Sequence, residues 1–207
     1  LYETFKEAKS ASVAKNPKTG ELLPAVSTPT FNSNDFSLGM TTNKWNELSE
    51  NEDKPLYNRF LASYTPGSSF KPITGAVGLT TRSFTAEEDF GKSGTKWQKD
   101  SSWKDFYVTT LASYSGKANL QNALIYSDNI YFAKAALKIG KDNFAKSLSN
   151  VGFNTNVKTP LGEVKSTYSN KDTFTSETDL ANSGYGQAEV LLTPIKMEML
   201  YSAFLNE

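Results

Sequence analysis

Tyr64-Thr65-Pro66-Gly67-Ser68-Ser69-Phe70-Lys71-Pro72, running on into the apolar stretch ITGAVGL to Leu79, is the segment around which the rest of the chain is read. Pro66 and Gly67 break whatever precedes them, and the residues that follow have helical character. A helix is therefore expected to begin at Ser68, with Pro72 in its early turns, where a proline does least harm. Ser68 and Lys71 are three apart, so a helix places them on one face. The serine would sit at the helix N-terminus, where unpaired N–H groups and the helix dipole favour negative charge. A lysine kept partly out of water loses basicity and can accept the serine proton. This pairing activates a serine without imidazole.

The composition makes that alternative important. The 207 residues contain no histidine and no cysteine, and 22 basic residues balance 22 acidic ones. A Ser-His-Asp triad, a thiolate nucleophile, a disulfide framework and histidine or cysteine metal sites are all excluded. An all-oxygen metal site remains open on composition, but no EF-hand spacing is present and no cofactor is expected. The balanced, dispersed charge argues against nucleic acid as a partner. No apolar run approaches the roughly 20 residues that span a bilayer.

The S-x-x-K spacing is not specific by itself. It occurs at Ser12/Lys15, Ser68/Lys71, Ser93/Lys96 and Ser101/Lys104. A solvated pair is the ordinary reading of each. Ser12 falls on an expected strand, where positions three apart face opposite sides. Ser93 and Ser101 fall in polar irregular stretches. Only Ser68 follows Pro-Gly and leads into an apolar helical run.

Residues 1–9 carry weak helical spacing. Residues 11–16 and 21–27 read as two strands of a hairpin, turned by Asn16-Pro17-Lys18-Thr19-Gly20. Pro24 cannot donate to a ladder, so the second strand should be an edge or be distorted there. Residues 28–56 read as loop with a short helix near Lys44–Ser49. Residues 84–118 read as irregular, anchored by Trp97 and Trp103. The region 119–152 is helical by pattern, with three apolar stripes: Leu120, Leu124 and Ile125; Ile130, Phe132, Ala133, Ala136 and Leu137; Phe144, Leu148 and Val151. Gly140 and Gly152 are its stops. Residues 154–180 read as loop. Thr193-Pro194 signals the start of a last helix over 193–205.

A second candidate group is Ser127-Asp128-Asn129. In a tight turn, the Ser127 hydroxyl and the Asn129 carboxamide can point into one cleft. The competing role is a helix cap, open to Ser127, Asp128 or Asn129 alike, and spacing alone favours the cap.

Taken together, PGSSFKP, YSDN and SGYGQAEVLLTP occur in that order, flanked by NPKTGELL near the start and WQKDSSW in the middle. S-x-x-K and S-D-N are two of the three motifs of penicillin-binding proteins and class A β-lactamases. The chain resembles the low-affinity class B penicillin-binding proteins of Gram-positive bacteria, the group that includes the staphylococcal methicillin-resistance transpeptidase. The resemblance implies an α/β (α+β) penicillin-binding, β-lactamase-like transpeptidase fold. Here it would be a partial domain with an N-terminal β-hairpin and a mainly helical subdomain. It also implies a peptidoglycan D,D-transpeptidase that acts on D-Ala-D-Ala stem peptides through a serine acyl-enzyme and is acylated by β-lactams. Ser68 would be the nucleophile and Lys71 its base. Ser127 would relay a proton to the leaving nitrogen, and Asn129 would hold Lys71 and a substrate amide. Tyr185 and Gln187 match a segment that lines the cleft, although a glycine-permitted turn explains them as well.

The third motif, K-T-G or K-S-G, belongs after S-D-N, and nothing after Ser127 matches it. Lys18-Thr19-Gly20 is the hairpin turn, and Lys92-Ser93-Gly94 precedes S-D-N in an expected loop. The expectation is a partial transpeptidase domain over 1–207, with the strands bearing the third motif missing. By the same resemblance, the protein would work at the extracellular face of the cell membrane, anchored by a segment absent from this chain. Two other readings remain: a β-lactam sensor or non-turnover penicillin-binding module, and a structural α/β domain with no active serine.

Overall fold

A computed structural model describes residues 1–159 and 162–205. In chain order the elements are α1 (Tyr2–Phe5), β1 (Ser10–Lys15), β2 (Leu22–Thr28), α2 (Asn34–Ser37), α3 (Thr42–Ser49), a 3-10 turn (Gly67–Phe70) and α4 (Lys71–Thr80). There follow β3 (Lys96–Trp97), a 3-10 turn (Ser101–Trp103), β4 (Val108–Thr109), α5 (Leu120–Ile125), α6 (Asn129–Ile139) and α7 (Lys141–Asn150). The last are β5 (Asn156–Thr159), β6 (Gly162–Lys165), α8 (Glu177–Ser183) and α9 (Pro194–Ser202). The expected mixed α/β class, with an N-terminal hairpin and a mainly helical remainder, is the class observed. No described helix is long and apolar enough to cross a membrane.

The chain divides into two compact units. The first comprises residues 1–63, 158–164 and 193–207. Its centre is the antiparallel β1–β2 hairpin. Asn16 Oδ1 accepts the N–H groups of Lys18 and Thr19, and Gly20, at φ +77°, closes the turn with its N–H on the Asn16 carbonyl. The register shifts by one residue between Val13 and Lys15, opposite Leu23 and Pro24. A strand that meets a residue without an N–H slips past it as a bulge. Helix α9 packs against β1. It begins where Thr193 and Pro194 indicate: the Thr193 hydroxyl accepts the Lys196 N–H at 3.1 Å, and Pro194 fills the first turn.

The second unit, residues 64–157 and 165–192, is built around α6. Phe132, Ala133, Ala135 and Ala136 are fully buried there. Alanines let neighbouring backbones come close, and α4 and α8 both pack on this helix. At Gly184 an added Cβ would lie 2.3 Å from the Phe132 carbonyl oxygen, so only a glycine fits there. Phe144, Leu148 and Phe153 complete the buried side, each contributing about 2–3 kcal/mol of apolar burial.

Several expectations need correction. Leu124 and Ile125 do not belong to an apolar stripe; they are exposed, and α5 buries Leu120 and Ala123 instead. Val151 is likewise exposed. Residues 154–180 are not only loop, since β5 pairs with β6 and α8 begins at Glu177. Residues 84–118 contain the short β3–β4 pair, over which Trp97 and Trp103 meet edge to face.

Candidate active site

The segment at Pro66-Gly67 differs from expectation in a way that matters for Ser68. The α-helix starts at Lys71, and Ser68 lies in the 3-10 turn before it. The cause is Pro72. An α-helix through Ser68 would need the residue 72 N–H to bond the Ser68 carbonyl, and proline has none. The Lys71 N–H takes that carbonyl instead, three residues on, which is the 3-10 pattern. Ser68 therefore sits in a first turn whose N–H groups have no partner within the helix. Gly67, at φ +56°, brings the chain into this turn, and its N–H donates to the Gly186 carbonyl at 2.9 Å.

Lys71 is the centre of the arrangement. It is 2% exposed. Its Nζ donates to Ser68 Oγ at 3.0 Å, to Ser127 Oγ at 2.8 Å and to the Ser127 carbonyl at 2.6 Å. The Ser127 hydroxyl lies 3.0 Å from Ser68 Oγ, so the two hydroxyls and the amine form a closed triangle. Burial pushes the Lys71 amine down from its usual 10.5 to about 8, while the Asp128 carboxylate pulls the other way. A meaningful fraction of neutral amine is thus available near neutral pH. The triangle can move a proton from one hydroxyl to the amine and from the amine to the other hydroxyl.

Ser127 does not cap α6. The cap is Asp128, whose Oδ1 accepts the Ile130 and Tyr131 N–H groups. This leaves the Ser127 hydroxyl free for Lys71 and Ser68. Nor does Asn129 hold Lys71: its Nδ2 donates to the Thr109 carbonyl at 2.8 Å, tying the start of α6 to β4. Asn129 instead faces a cavity of about 380 Å³ that also takes in Ser68, Tyr107, Thr109, Asn182, Tyr185 and Gln187. The lining carries no charged side chain. Tyr185 and Gln187 flank Gly186, which turns at φ +75°, so the turn and the cleft wall are the same residues. The Tyr185 hydroxyl donates to Asn182 Oδ1, and burial raises its pKa to about 12, which keeps it a neutral donor.

Sequence reasoning missed Tyr107, Thr109 and Asn182. Asn182 stands three residues before Tyr185, a helical spacing that could have flagged it. Thr109 arrives through β4, with Tyr107 just before it, and neither carries a local signal. The Lys92-Ser93-Gly94 segment is occupied elsewhere: Lys92 lies on Tyr114, and Ser93 accepts from Lys134. Among the described residues, no group of three or more acidic, histidine or cysteine side chains is placed to hold a metal.

Comparison with known proteins is consistent in direction. The penicillin binding protein transpeptidase domain matches residues 10–207. Penicillin-binding protein 3 of Bacillus subtilis is 38% identical over 206 residues, covering all of this chain and 31% of that protein. The peptidoglycan D,D-transpeptidase MrdA of Acinetobacter baumannii is 34% identical over 152 residues, 70% of this chain and 21% of that protein. Among solved structures, the ceftriaxone acyl-enzyme of penicillin-binding protein A from M. tuberculosis superposes with a TM-score of 0.85 at 25% identity. That match covers 96% of this chain and 45% of the other. The chain thus spans about a third or less of the length of these curated relatives.

Proposed function

The chain belongs to the penicillin-binding protein transpeptidase domain family, and from that premise we propose that it carries the acylation centre of a class B peptidoglycan D,D-transpeptidase. The observation that carries the reading is the buried Lys71 amine, held between two serine hydroxyls. Ser68 Oγ attacks the carbonyl carbon of the penultimate D-Ala of a stem peptide, and its proton passes to neutral Lys71. The peptide C–N bond then breaks. Ser127 delivers a proton to the departing D-Ala nitrogen and is resupplied by the Lys71 ammonium. An amine from a neighbouring stem attacks the ester, forms the cross-link and returns the proton to Ser68. A β-lactam enters by the same first step, its ring amide taking the place of the peptide bond. The Ser68 N–H contributes to the oxyanion hole, a kind of site that supplies about 3–4 kcal/mol per donor. Asn129, Tyr185 and Gln187 present amides and a phenol to the backbone of the bound peptide.

The named D,D-transpeptidase relatives favour turnover over a sensor module. We also propose that residues 1–207 are the larger part of the transpeptidase domain. The third motif would be supplied beyond them, and the whole would be held at the outer face of the membrane by a segment outside this chain. The segments NPKTGELL and WQKDSSW support placement with the low-affinity, antibiotic-resistance group typified by the staphylococcal methicillin-resistance transpeptidase.

The test is incubation of the natural full-length protein with a labelled penicillin, followed by mass spectrometry. The expected adduct is on Ser68 and disappears in Ser68→Ala. A folded full-length protein that gives no adduct, or gives one on another residue, overturns the assignment.

A further inference from the structure

We propose that Tyr114 and Asp128 act together as positioning residues, fixing the Ser127 backbone against the Lys71 amine and keeping a carboxylate charge acting on it. The proposal rests on the reading of Lys71 as the base. Asp128 is 7% exposed, and both its carboxylate oxygens are engaged. Oδ1 accepts the Ile130 and Tyr131 N–H groups at 2.9 and 3.3 Å, while Oδ2 accepts the Tyr114 hydroxyl at 2.9 Å. The Tyr114 ring stacks on Tyr126 with centroids 4.5 Å apart and planes 5° from parallel. Tyr114 therefore grips the residues on both sides of Ser127, one by its ring and the other by its hydroxyl. Lys92 holds Tyr114 in turn, donating to its carbonyl with Nζ 5.2 Å over its ring.

Ser127 between them has φ +53°, a conformation that a residue with a side chain adopts only when its surroundings impose it. That conformation turns both the Ser127 carbonyl and its hydroxyl onto Lys71 Nζ. Tyr114 lies outside all the motifs, yet without it the strained residue loses its outer clamp.

The electrostatics point the same way. The Asp128 carboxylate, at the cap of α6, acts on Lys71 by its charge, and from α6 the Phe132 ring lies 6.0 Å from its Nζ. From the 3-10 turn it is faced by Ser68, and from the loop by Ser127. The residues of α5, LQNALI, include no ionisable side chain. Asp128 itself also acts on Lys134 and Tyr114, as does Asp89. The Asp128 carboxylate favours the ammonium form of Lys71, so removing its charge must lower the pH at which the proton leaves.

The experiment measures Ser68 acylation by a fluorescent penicillin from pH 5.5 to 9.5 in the full-length protein and its variants. Asp128→Asn keeps an oxygen for the helix cap but removes the charge. Its acid limb should move to lower pH, so the share of its plateau rate kept at pH 6 rises severalfold. Tyr114→Phe should lower the plateau about 3- to 10-fold without moving the limb downward. An unmoved limb in Asp128→Asn overturns the charge role, and a wild-type plateau in Tyr114→Phe overturns the clamp. Competitive acetylation of lysines, read on the Lys71 peptide across pH, locates the same midpoint without any acylation. A wild-type protein that is not acylated at Ser68 would sink the proposed function. A Lys71 midpoint unchanged in Asp128→Asn would sink this inference.

Discussion

Replacing Gly186 by alanine tests whether the cleft turn holds the nucleophile in place. A Cβ built there lies 2.2 Å from the Gly67 carbonyl oxygen and 2.7 Å from Phe70 Cβ. The first contact is about 1 Å closer than non-bonded atoms tolerate, and its partner is backbone that cannot swing aside. The φ of +75° adds about 1–2 kcal/mol for any residue with a side chain. Separation of the two turns also strips the Gly67 N–H from the Gly186 carbonyl, another ~1 kcal/mol. The sum is roughly 2–3 kcal/mol, or about 5–10 °C in Tm for a domain of this size. The displaced residue is next to Ser68, and a shift of ~1 Å in a reacting group costs about 100-fold. Thermal unfolding and fluorescent-penicillin acylation are measured together. Gly94→Ala is the control, with a similar φ of +67° and no atom within 4 Å. It should lose about 1 kcal/mol and acylate normally. Should Gly186→Ala acylate as fast as wild type, or melt no lower than Gly94→Ala, the reasoning from close approach is wrong.

With Lys71 at about 8 and its neutral form active, acylation should fall about tenfold per pH unit below that value, reaching roughly 1% of the plateau at pH 6; stopped-flow acylation across pH checks this. Between about 8 and 10.5 the folded protein binds fewer protons at Lys71 than the unfolded chain does, so its contribution to stability rises with pH across that window. At pH 7 the buried charge on Lys71 costs folding free energy, and Lys71→Met should raise Tm by about 5 °C while abolishing acylation. Gly78→Ala places a Cβ 2.0 Å from the ring of buried Phe84, itself packed on Phe90 and Tyr131, and should cost about 1–3 kcal/mol by denaturant titration. Thr193→Ala removes the cap of α9 and should cost about 1 kcal/mol in the same titration.

What could be read from the residues was what local chemistry decides. Asn16 through Gly20 and Pro24 carry the hairpin and its bulge, because a turn amide, a positive-φ glycine and a missing N–H act within a few residues of themselves. Thr193-Pro194 carries the start of α9 for the same reason. The contact between Ser68 and Lys71 follows from their spacing even though the turn is 3-10, since positions three apart share a face in either helix. Less accessible was the competition of long-range partners. Asn129 is drawn to Thr109, 20 residues earlier, and Asp128 to Tyr114, 14 residues earlier, and neither choice leaves a local trace. Leu124 and Ile125 look like core but face outward, because a six-residue helix has little face to bury. Polar surroundings hide helix α8 in the sequence, although Ser176 with Asp179 three residues on spells its cap.

The proline at position 72 has a further effect. By handing the Ser68 carbonyl to the Lys71 N–H, it makes one residue a tether with two ends, main chain on the carbonyl and ammonium on the alcohol. The first end survives any residue but proline at position 71. Trimming the lysine to alanine would then empty a socket beside an alcohol that has not moved, and a small primary amine diffusing in from solvent could occupy it and restore acylation in proportion to its concentration.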